Sequence, residues 1–397
     1  MRVAEKIREL VQLCSVELHA ARARAVEAAV VALVRCGRVV ASSLGQAVAT
    51  STSDKHGIKR IDRLLGNGSL HRELLKMYAR LAALTVGATA HPVVLVDWTS
   101  QGRDKYVLKA VLALRGRGVP LYAECHTLGA NGNHSVQKRF LSRLRRVLPE
   151  GCTPVIVTDA GFKVPWCEAV TAMGWDYVTR VRGRAFVRLS EQGSWFRAMS
   201  CAQHVARGIH DVHEGQLRFS DPVATRLVIC DERSARARKR PTDKGRRIRV
   251  RRAVRSAHEP WLLSTSLATG PAADIVALYA LRMQIELSIR DDKSHALGWG
   301  LDDARTRSCA RVDVQLLLCA IATIAALLVG IAAEQTDLAR RYQANTERQR
   351  RVLSLVTLGR RILRSNSALP FSAAHLAEAL RWLQDHIPRL SVFYIRI

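Results

Sequence analysis

The sequence predicts a mixed α/β protein in which a central region of strands and helices lies between helical segments at both ends. The first 85 or so residues are rich in Ala, Leu, Val, Arg and Glu. From His91 onward, short apolar runs alternate with turns, and after Pro271 helical patterns return. Strand, hairpin, helix and strand in this order are typical of a mixed sheet.

This pattern divides the chain into three predicted domains. A helical domain covers residues 1–88, and a mixed α/β core covers 89–310 with a mostly β insertion at about 176–270. A helical region covers 311–397. A chain of 397 residues is long enough for two or three domains with a large buried core.

The charge of the chain points to a polyanionic partner. Lys and Arg number 62 against 34 Asp and Glu, which gives a formal net charge of +28. Nucleic acid is the first expectation for such a chain, and a membrane surface is the alternative. Because 48% of the residues are hydrophobic, the class of disordered proteins is excluded.

The nine cysteines predict reduced thiols. No two of them form a C-x-x-C pair, so a zinc ribbon or finger is not expected. An odd number of cysteines in a long chain favours the cytoplasm, and the charged N-terminus lacks the pattern of a signal peptide. We therefore expect a cytoplasmic, nucleoid-associated protein.

One apolar segment has the length of a membrane span. Val314–Ala333 reads VQLLLCAIATIAALLVGIAA, interrupted only by Gln315 and Thr323. A single late span explains neither the charge nor the motifs described below. We therefore expect a helix buried on all sides, and no membrane, with a membrane-associated protein as the alternative.

In the N-terminal region, Ala21–Ala41 predicts a long helix, with Gly37 and Gly45 as helix stops or turns. The segment HGIKRIDRLLGN (56–67) predicts a second helix, because its Ile and Leu residues fall at helical spacing while Lys59, Arg60 and Arg63 lie on other faces. We interpret the region as a DNA-binding domain; a helical bundle with a solvated basic face is the alternative.

Two aspartates follow apolar strand runs in the central region. Val93–Val96 ends in Asp97, and Val155–Thr158 ends in Asp159. Between them we predict a hairpin and a basic amphipathic helix at His134–Val147. Carboxylates at the ends of neighbouring strands would lie close together and need a cation such as Mg²⁺ or Mn²⁺ between them. Helix N-capping is the alternative role for each aspartate.

From about Asp176 to Leu267 the sequence alternates between strands and turns. A strongly basic stretch, Arg233–Arg252, lies within this part. We interpret it as a loop or hairpin that faces phosphate, with a solvated loop as the alternative.

A third acidic candidate lies in YALRMQIELSIRDDK. On one continuous helix Tyr279, Arg282, Glu286 and Lys293 share an arc of about 60°, and Arg290 lies on the same face. The adjacent acids Asp291 and Asp292 fall on other faces, so Glu286 is the better candidate ligand. Its basic companions can bind DNA phosphate. A surface helix with a mixed polar stripe is the alternative.

These residues resemble the DDE transposases of bacterial insertion sequences, in particular the IS-four family. Tyr279, Arg282, Glu286 and Lys293 match the signature Y-x2-R-x3-E-x6-K without deviation. VVLVDWTS, VIVTDAGF, EPWLLSTSL and HGIKRIDRLLGN are also similar to blocks of the family. The resemblance covers roughly residues 50 to 310.

The resemblance implies an RNase H-like catalytic core with a mostly β insertion. It implies that Asp97, Asp159 and Glu286 are the catalytic residues and the ligands of two Mg²⁺ ions, with Mn²⁺ as a substitute. It suggests that Trp261 stacks on a base flipped from the cleaved end; a core residue of the insertion sheet is the alternative for this tryptophan. The other DNA-binding candidates are Tyr279, Arg282, Arg290 and Lys293.

The function implied is cut-and-paste transposition: cleavage at the element ends, a hairpin intermediate, and joining to target DNA. The partners expected are double-stranded DNA, as transposon ends and as target, and a second copy of the chain in a synaptic complex. Two other functions are compatible with the same catalytic core or the same DNA-binding surface. One is a metal-dependent nuclease, and the other is a non-catalytic repressor that binds transposon ends.

Overall fold

The computed structural model describes residues 3–15, 18–48, 53–114, 116–231, 259–344, 346–347, 351–365, 368 and 371–388. The basic stretch Arg233–Arg252 therefore lies outside the described residues. The chain forms two compact units, one from residues 1–154 together with Met283–Val392, the other from Val155–Arg282.

Five helices precede the first strand of the first unit. They are α1 (Val3–Cys14), α2 (Ala20–Cys36), α3 (Ala41–Ala47), α4 (Asp54–Leu65) and α5 (Gly68–Val86). Gly37 ends α2 in a left-handed conformation, as predicted. On α4 the residues Ile61, Leu64 and Leu65 are buried, while Lys59, Arg60 and Arg63 are exposed. The predicted amphipathic helix with a basic outer face is confirmed.

Gly45 differs from its prediction. It lies inside α3 and is no helix stop. A Cβ at this position would lie 2.4 Å from the Cα of Ile58 on α4, and a Cβ at Gly57 would lie 2.2 Å from the carbonyl oxygen of Gly45. Both glycines therefore permit the close packing of α3 on α4, a long-range contact that punctuation along the sequence does not reveal.

Three antiparallel strands follow, in the order β3-β2-β1. They are β1 (Val93–Gln101), β2 (Lys105–Leu114) and β3 (Arg117–Thr127), and α6 (His134–Val147) comes next, with the bounds predicted. The prediction that a strand ends at Asp97 is wrong. β1 continues to Gln101 because Trp98–Gln101 pair with Lys105–Leu108 of β2.

Four further helices complete the first unit: α9 (Met283–Lys293), α10 (Cys309–Gln335), α11 (Leu355–Ser365) and α12 (Ala373–Asp385). α10 packs against β3, α2, α5, α11 and α12. It is long and apolar enough to cross a membrane, yet 94% of its most apolar 18-residue window is buried within the protein. The predicted buried helix at Val314–Ala333 is confirmed.

The second unit is mostly β, as predicted for residues 176–270. Its strand order is β4-β5-β10-β9-β8-β6-β7; β4 and β5 are parallel, and the other neighbouring strands are antiparallel. The strands are β4 (Val155–Thr158), β5 (Asp176–Val181), β6 (Phe186–Arg188), β7 (Phe196–Arg197), β8 (Gly208–Leu217), β9 (Val223–Asp231) and β10 (Trp261–Thr265). Two helices accompany them, α7 (Val164–Thr171) and α8 (Ala272–Ala280).

A compact apolar core supports one face of this sheet. Val187, Leu217, Leu227, Ile229 and Leu262 are buried together. α8 packs against β4, β5, β8, β9 and β10. The second unit thus fixes α8 and the strand ends near Asp159 within one rigid arrangement.

Candidate active site

Asp97 lies within β1, where the strand changes from buried to partly exposed residues. Val93–Val96 are buried, and Asp97 is half-buried. Its Oδ1 accepts a hydrogen bond from the backbone N–H of Trp98 at 2.8 Å. The backbone therefore orients the carboxylate, on a strand whose apolar residues anchor it in the core.

Lys109 of β2 is the direct cross-strand partner of Asp97. Directly opposite residues share a face of the sheet, so both side chains lie on the same face. The Lys109 Nζ donates to Asp292 Oδ2 on α9, and to Ser288 Oγ at 3.1 Å. The side chains of Lys109 and Asp292 are only 4% and 8% exposed. A buried ion pair thus attaches α9 to the strand beside Asp97.

A second buried pair and one hydrogen bond strengthen this attachment. The Arg117 Nε of β3 lies 3.0 Å from Asp291 Oδ2. Near the start of α9, Gln284 Oε1 accepts from the backbone N–H of Leu114 at 2.8 Å. Burial raises the pKa of Asp291, Arg117 lowers it, and Asp292 raises it further. The inner face of α9 is therefore polar and fully engaged with β2 and β3.

Glu286 lies on the opposite, exposed side of α9, in its first turn. The neighbouring acids Asp291 and Asp292 are buried, which separates their role from that of Glu286. Because α9 packs against β1, β2 and β3, Glu286 has a fixed place relative to the strand that carries Asp97. It is the acid of this helix that an external group can reach.

The prediction of one continuous helix for the four-residue signature is wrong. α8 ends at Ala280 and α9 begins at Met283, with a turn at Leu281 and Arg282. The backbone N–H of Arg282 donates to the Tyr279 carbonyl at 3.0 Å, which closes this turn. Helical periodicity alone cannot detect such a break, because the residues on both sides favour helix.

Two basic candidates lie near the end of α9. Arg290 is exposed, and the Lys293 Nζ donates to the carbonyl oxygen of Ser100 on β1. Burial lowers the pKa of Lys293, whereas Asp302 and Asp292 raise it. The ammonium group is therefore held against the strand that contains Asp97.

In the second unit, Asp159 directly follows the last residue of β4, as predicted. Its Oδ1 accepts from the backbone N–H of Gly161 at 2.8 Å, and its carbonyl oxygen accepts from Thr179 Oγ1 at 3.2 Å. A Cβ at position 161 would lie 2.9 Å from Asp159 Oδ1. A side chain at this position would therefore push the Asp159 carboxylate out of its present orientation.

Tyr279, Trp261 and Arg282 come together in the second unit. The rings of Tyr279 and Trp261 meet edge to face with centroids 4.9 Å apart, and the Arg282 guanidinium lies 6.0 Å from the Tyr279 ring centroid. Burial raises the pKa of Tyr279, Arg282 and Arg180 lower it, and Asp159 raises it. Tyr279 is 4% exposed and Trp261 half-buried, so the tyrosine supports the indole from behind.

The three candidate carboxylates are groups that could bind a divalent cation, but the described residues do not form a complete metal site. Across the described ranges, no group of three or more His, Cys, Asp or Glu side chains is arranged to hold a metal ion. Asp97 and Asp159 each have one oxygen oriented by a backbone N–H. Carboxylate oxygens are what Mg²⁺ and Mn²⁺ prefer, so the three acids suit such ions by chemistry.

A further set of ionisable groups lies where β3 meets α10. Glu124 accepts from Arg143 and lies 3.0 Å from the ring of His126. Asp313 of α10 accepts from the backbone N–H of Cys125 at 2.7 Å. Burial raises the pKa of Asp313 to about 7, against the lowering effect of the Cys125 hydrogen bond. His126 thus acts as an ordinary polar partner here.

The sequence patterns did not identify Lys109 and Arg117 as the residues that hold α9 to the sheet. Lys109 is the only charged residue within the apolar run YVLKAVLAL, and that isolation is the signal that could have found it. A lysine inside a buried strand usually pairs with a buried acid, and the adjacent acids Asp291 and Asp292 were two candidates for that partner.

A comparison with protein-family models matches residues 88–324 to the transposase DDE domain. No curated protein matches the chain significantly. The match spans more than half of the 397 residues and includes Asp97, Asp159 and Glu286. The chain belongs to the DDE transposase family.

Proposed function

We propose that this chain is the transposase of an insertion sequence, which cuts DNA at the ends of its element and joins those ends to a target. Asp97, Asp159 and Glu286 are its catalytic carboxylates. The family supports a transposase that acts on DNA. The assignment of these three residues, and of the IS-four family, rests on the motif match.

The main observation behind the proposal is that the acids of α9 differ in burial. Asp291 and Asp292 are buried against Arg117 and Lys109, whereas Glu286 is exposed. Two ion pairs hold the helix that bears Glu286 to β2 and β3, which belong to the same sheet as the strand that bears Asp97. Glu286 is therefore the acid of α9 that stays accessible, and it stands at the glutamate position of the signature.

The three carboxylates are the groups that would hold two Mg²⁺ ions. Bound there, such ions would activate a water or hydroxyl nucleophile and neutralise the leaving oxygen. The chain's own contribution is to orient the carboxylates: Trp98 N–H fixes Asp97, and Gly161 N–H fixes Asp159.

DNA binding is supported by the distribution of positive charge. The net charge is +28, and α4 exposes Lys59, Arg60 and Arg63 on one helix. On α9, the helix that bears Glu286, Arg290 and Lys293 would contact phosphate oxygens. In the second unit Arg282 has the same role, and Trp261 offers an aromatic face to a base.

The order of steps follows the family resemblance. Water first cuts one strand at the element end, and the freed 3′-OH attacks the opposite strand to give a hairpin. Water reopens the hairpin, and the 3′-OH then attacks the target DNA. We propose that two copies of the chain act together in a synaptic complex, in the cytoplasm.

The test uses DNA ends taken from the sequence that flanks the coding region. Asp97→Asn, Asp159→Asn and Glu286→Gln should each lower cleavage by at least about a thousandfold in Mg²⁺, because each removes a ligand charge. Binding to the same ends in EDTA should be nearly unchanged. Glu150→Gln, an exposed acid of the first unit, is the matched control and should cleave normally.

Normal cleavage by the Asp97→Asn variant would refute the assignment. A plasmid joining assay separates the two alternative functions. Cut ends without joined products would favour the nuclease, and end binding without any Mg²⁺-dependent cutting would favour the repressor.

A further inference from the structure

A cleft of about 500 Å³ opens in the second unit next to Asp159. Its walls come from the loop 160–165, from β5, from the start of β6 and from the turn 217–220. The volume lies within the range of about 300–1,000 Å³ that small-molecule sites occupy. The cleft is therefore large enough for one nucleotide.

Aromatic rings stand exposed at this cleft. Phe186 and Phe219 are 40% and 63% exposed, and their ring centroids lie 5.9 Å apart. Trp195, which is half-buried and does not line the cleft, contacts Phe219 with ring centroids 5.7 Å apart. Neighbouring exposed aromatic rings such as Phe186 and Phe219 often mark a ligand-binding site.

The charged side chains that line the cleft are all basic. Arg180 and Arg182 are paired with Glu259, and Arg218 with Glu168 and Asp221. Within the described part of the chain, no ion pair is formed by the two remaining cations, Lys163 and Arg184, which are both exposed. The cleft therefore combines aromatic surface with two uncompensated positive charges.

We propose that this cleft binds an unpaired nucleotide of a DNA strand. Its base packs against the rings of Phe186 and Phe219, which are tilted 46° to each other, and its phosphate contacts Lys163 and Arg184. A base exposes its flat face only when it leaves the duplex, and aromatic side chains bind that face without regard to sequence. The inference rests on the proposed function, because it takes DNA as the ligand.

The cleft is separate from the ring pair of Trp261 and Tyr279. Successive residues of a strand point to opposite faces, so Trp261 and Leu262 of β10 do so. Leu262 belongs to the apolar core against which Val164 and Val181 of the cleft wall pack. Trp261 instead faces α8 through Tyr279. A base on Trp261 and a base in the cleft would occupy different faces of the sheet.

The test compares a blunt DNA duplex with the same duplex carrying a short single-stranded extension, in EDTA so that no strand is cut. The wild-type chain should bind the extended duplex more tightly. Phe186→Ala with Phe219→Ala should reduce that gain by about tenfold per stacked base and leave blunt-duplex affinity unchanged. Met199→Ala, an equally exposed apolar residue outside the cleft, is the control and should change neither.

Charge and position are tested separately. Arg184→Gln should weaken binding of the extended duplex more than Arg207→Gln, a control arginine of the same unit that is exposed and does not line the cleft. A photoreactive 5-iodouracil in the extension should crosslink to the peptides that contain Phe186 or Phe219. Crosslinking to the Trp261 peptide instead, or no gain from the extension in the wild type, would overturn the proposal.

Failure of this inference is distinguishable from failure of the proposed function. The binding measurements need neither metal nor intact carboxylates, so Asp97→Asn should bind the extended duplex as the wild type does. A chain that cuts and joins DNA but shows no contribution from the cleft would refute the inference alone.

Discussion

Replacing Asp292 with Asn should destabilise the first unit and also reduce DNA cleavage. The substitution preserves side-chain size but leaves the Lys109 ammonium buried without its carboxylate. The Lys109 side chain is 4% exposed and that of Asp292 is 8% exposed, so water cannot replace the lost partner. Ser288 Oγ, at 3.1 Å from Nζ, remains as one acceptor.

The expected loss in free energy of unfolding is about 3 kcal/mol. Breaking a buried ion pair by removing one partner costs roughly 3–5 kcal/mol. The remaining Ser288 contact and the amide of the new Asn place the value at the low end. The double variant Lys109→Met with Asp292→Leu removes both charges, so most of the lost stability should return, since apolar replacement of a buried pair is often neutral.

The measurement is urea unfolding followed by circular dichroism, with DNA cleavage measured in parallel. Glu150→Gln is the control, because Glu150 is exposed and lies outside the Lys109 pair. Cleavage by the double variant should stay below that of the wild type if the ion pair positions α9 in addition to stabilising it. A cost below about 1 kcal/mol for Asp292→Asn would show that the buried pair does not hold α9.

Three further predictions concern other parts of the chain. Asp313, with a pKa of about 7 in the folded state against 3.8 for an unperturbed aspartate, keeps a proton that the unfolded chain releases. The contribution of Asp313 to stability therefore falls as pH rises from about 4 to 7. Between pH 5 and 8 the free energy of unfolding of Asp313→Asn should gain about 2–3 kcal/mol relative to that of the wild type, measured by urea unfolding at each pH. A difference between the two proteins that does not change with pH would contradict this prediction. Gly161→Ala should lower cleavage by about tenfold or more with little change in melting temperature, because its Cβ would lie 2.9 Å from Asp159 Oδ1; unchanged cleavage would show that the loop adapts. Arg226→Met should lower the free energy of unfolding of the second unit by about 3–5 kcal/mol, measured with urea, because the guanidinium binds Asp211 and three carbonyl groups of residues 267–270. A loss near zero would show that these bonds do not stabilise the unit.

Local patterns predicted many single elements closely. The helix at His134–Val147 and the strand at Val155–Thr158 have the predicted bounds. Their boundaries depend on neighbours along the chain: periodic apolar residues, capping side chains and turns. The same rules failed at Asp97 and at Gly45, where the deciding contact is with a residue distant along the chain.

The candidate site shows the same division. The spacing of Tyr279, Arg282, Glu286 and Lys293 led to the family, but it did not reveal the turn at Leu281 and Arg282 that separates two helices. Nor did it reveal the partner of Lys109, which lies 183 residues away along the chain. The predicted roles of the three carboxylates, the metal ions and the three-domain division stay predictions.

By itself the sequence determined the family, the charge of the partner and the type of most elements, because motif spacing and periodic hydrophobicity are local properties. Only the tertiary structure decided which acid of the helix is exposed and which are buried, and where aromatic rings and cations meet in a cleft. Those outcomes depend on strand register and on burial, which bring together residues that no local pattern connects.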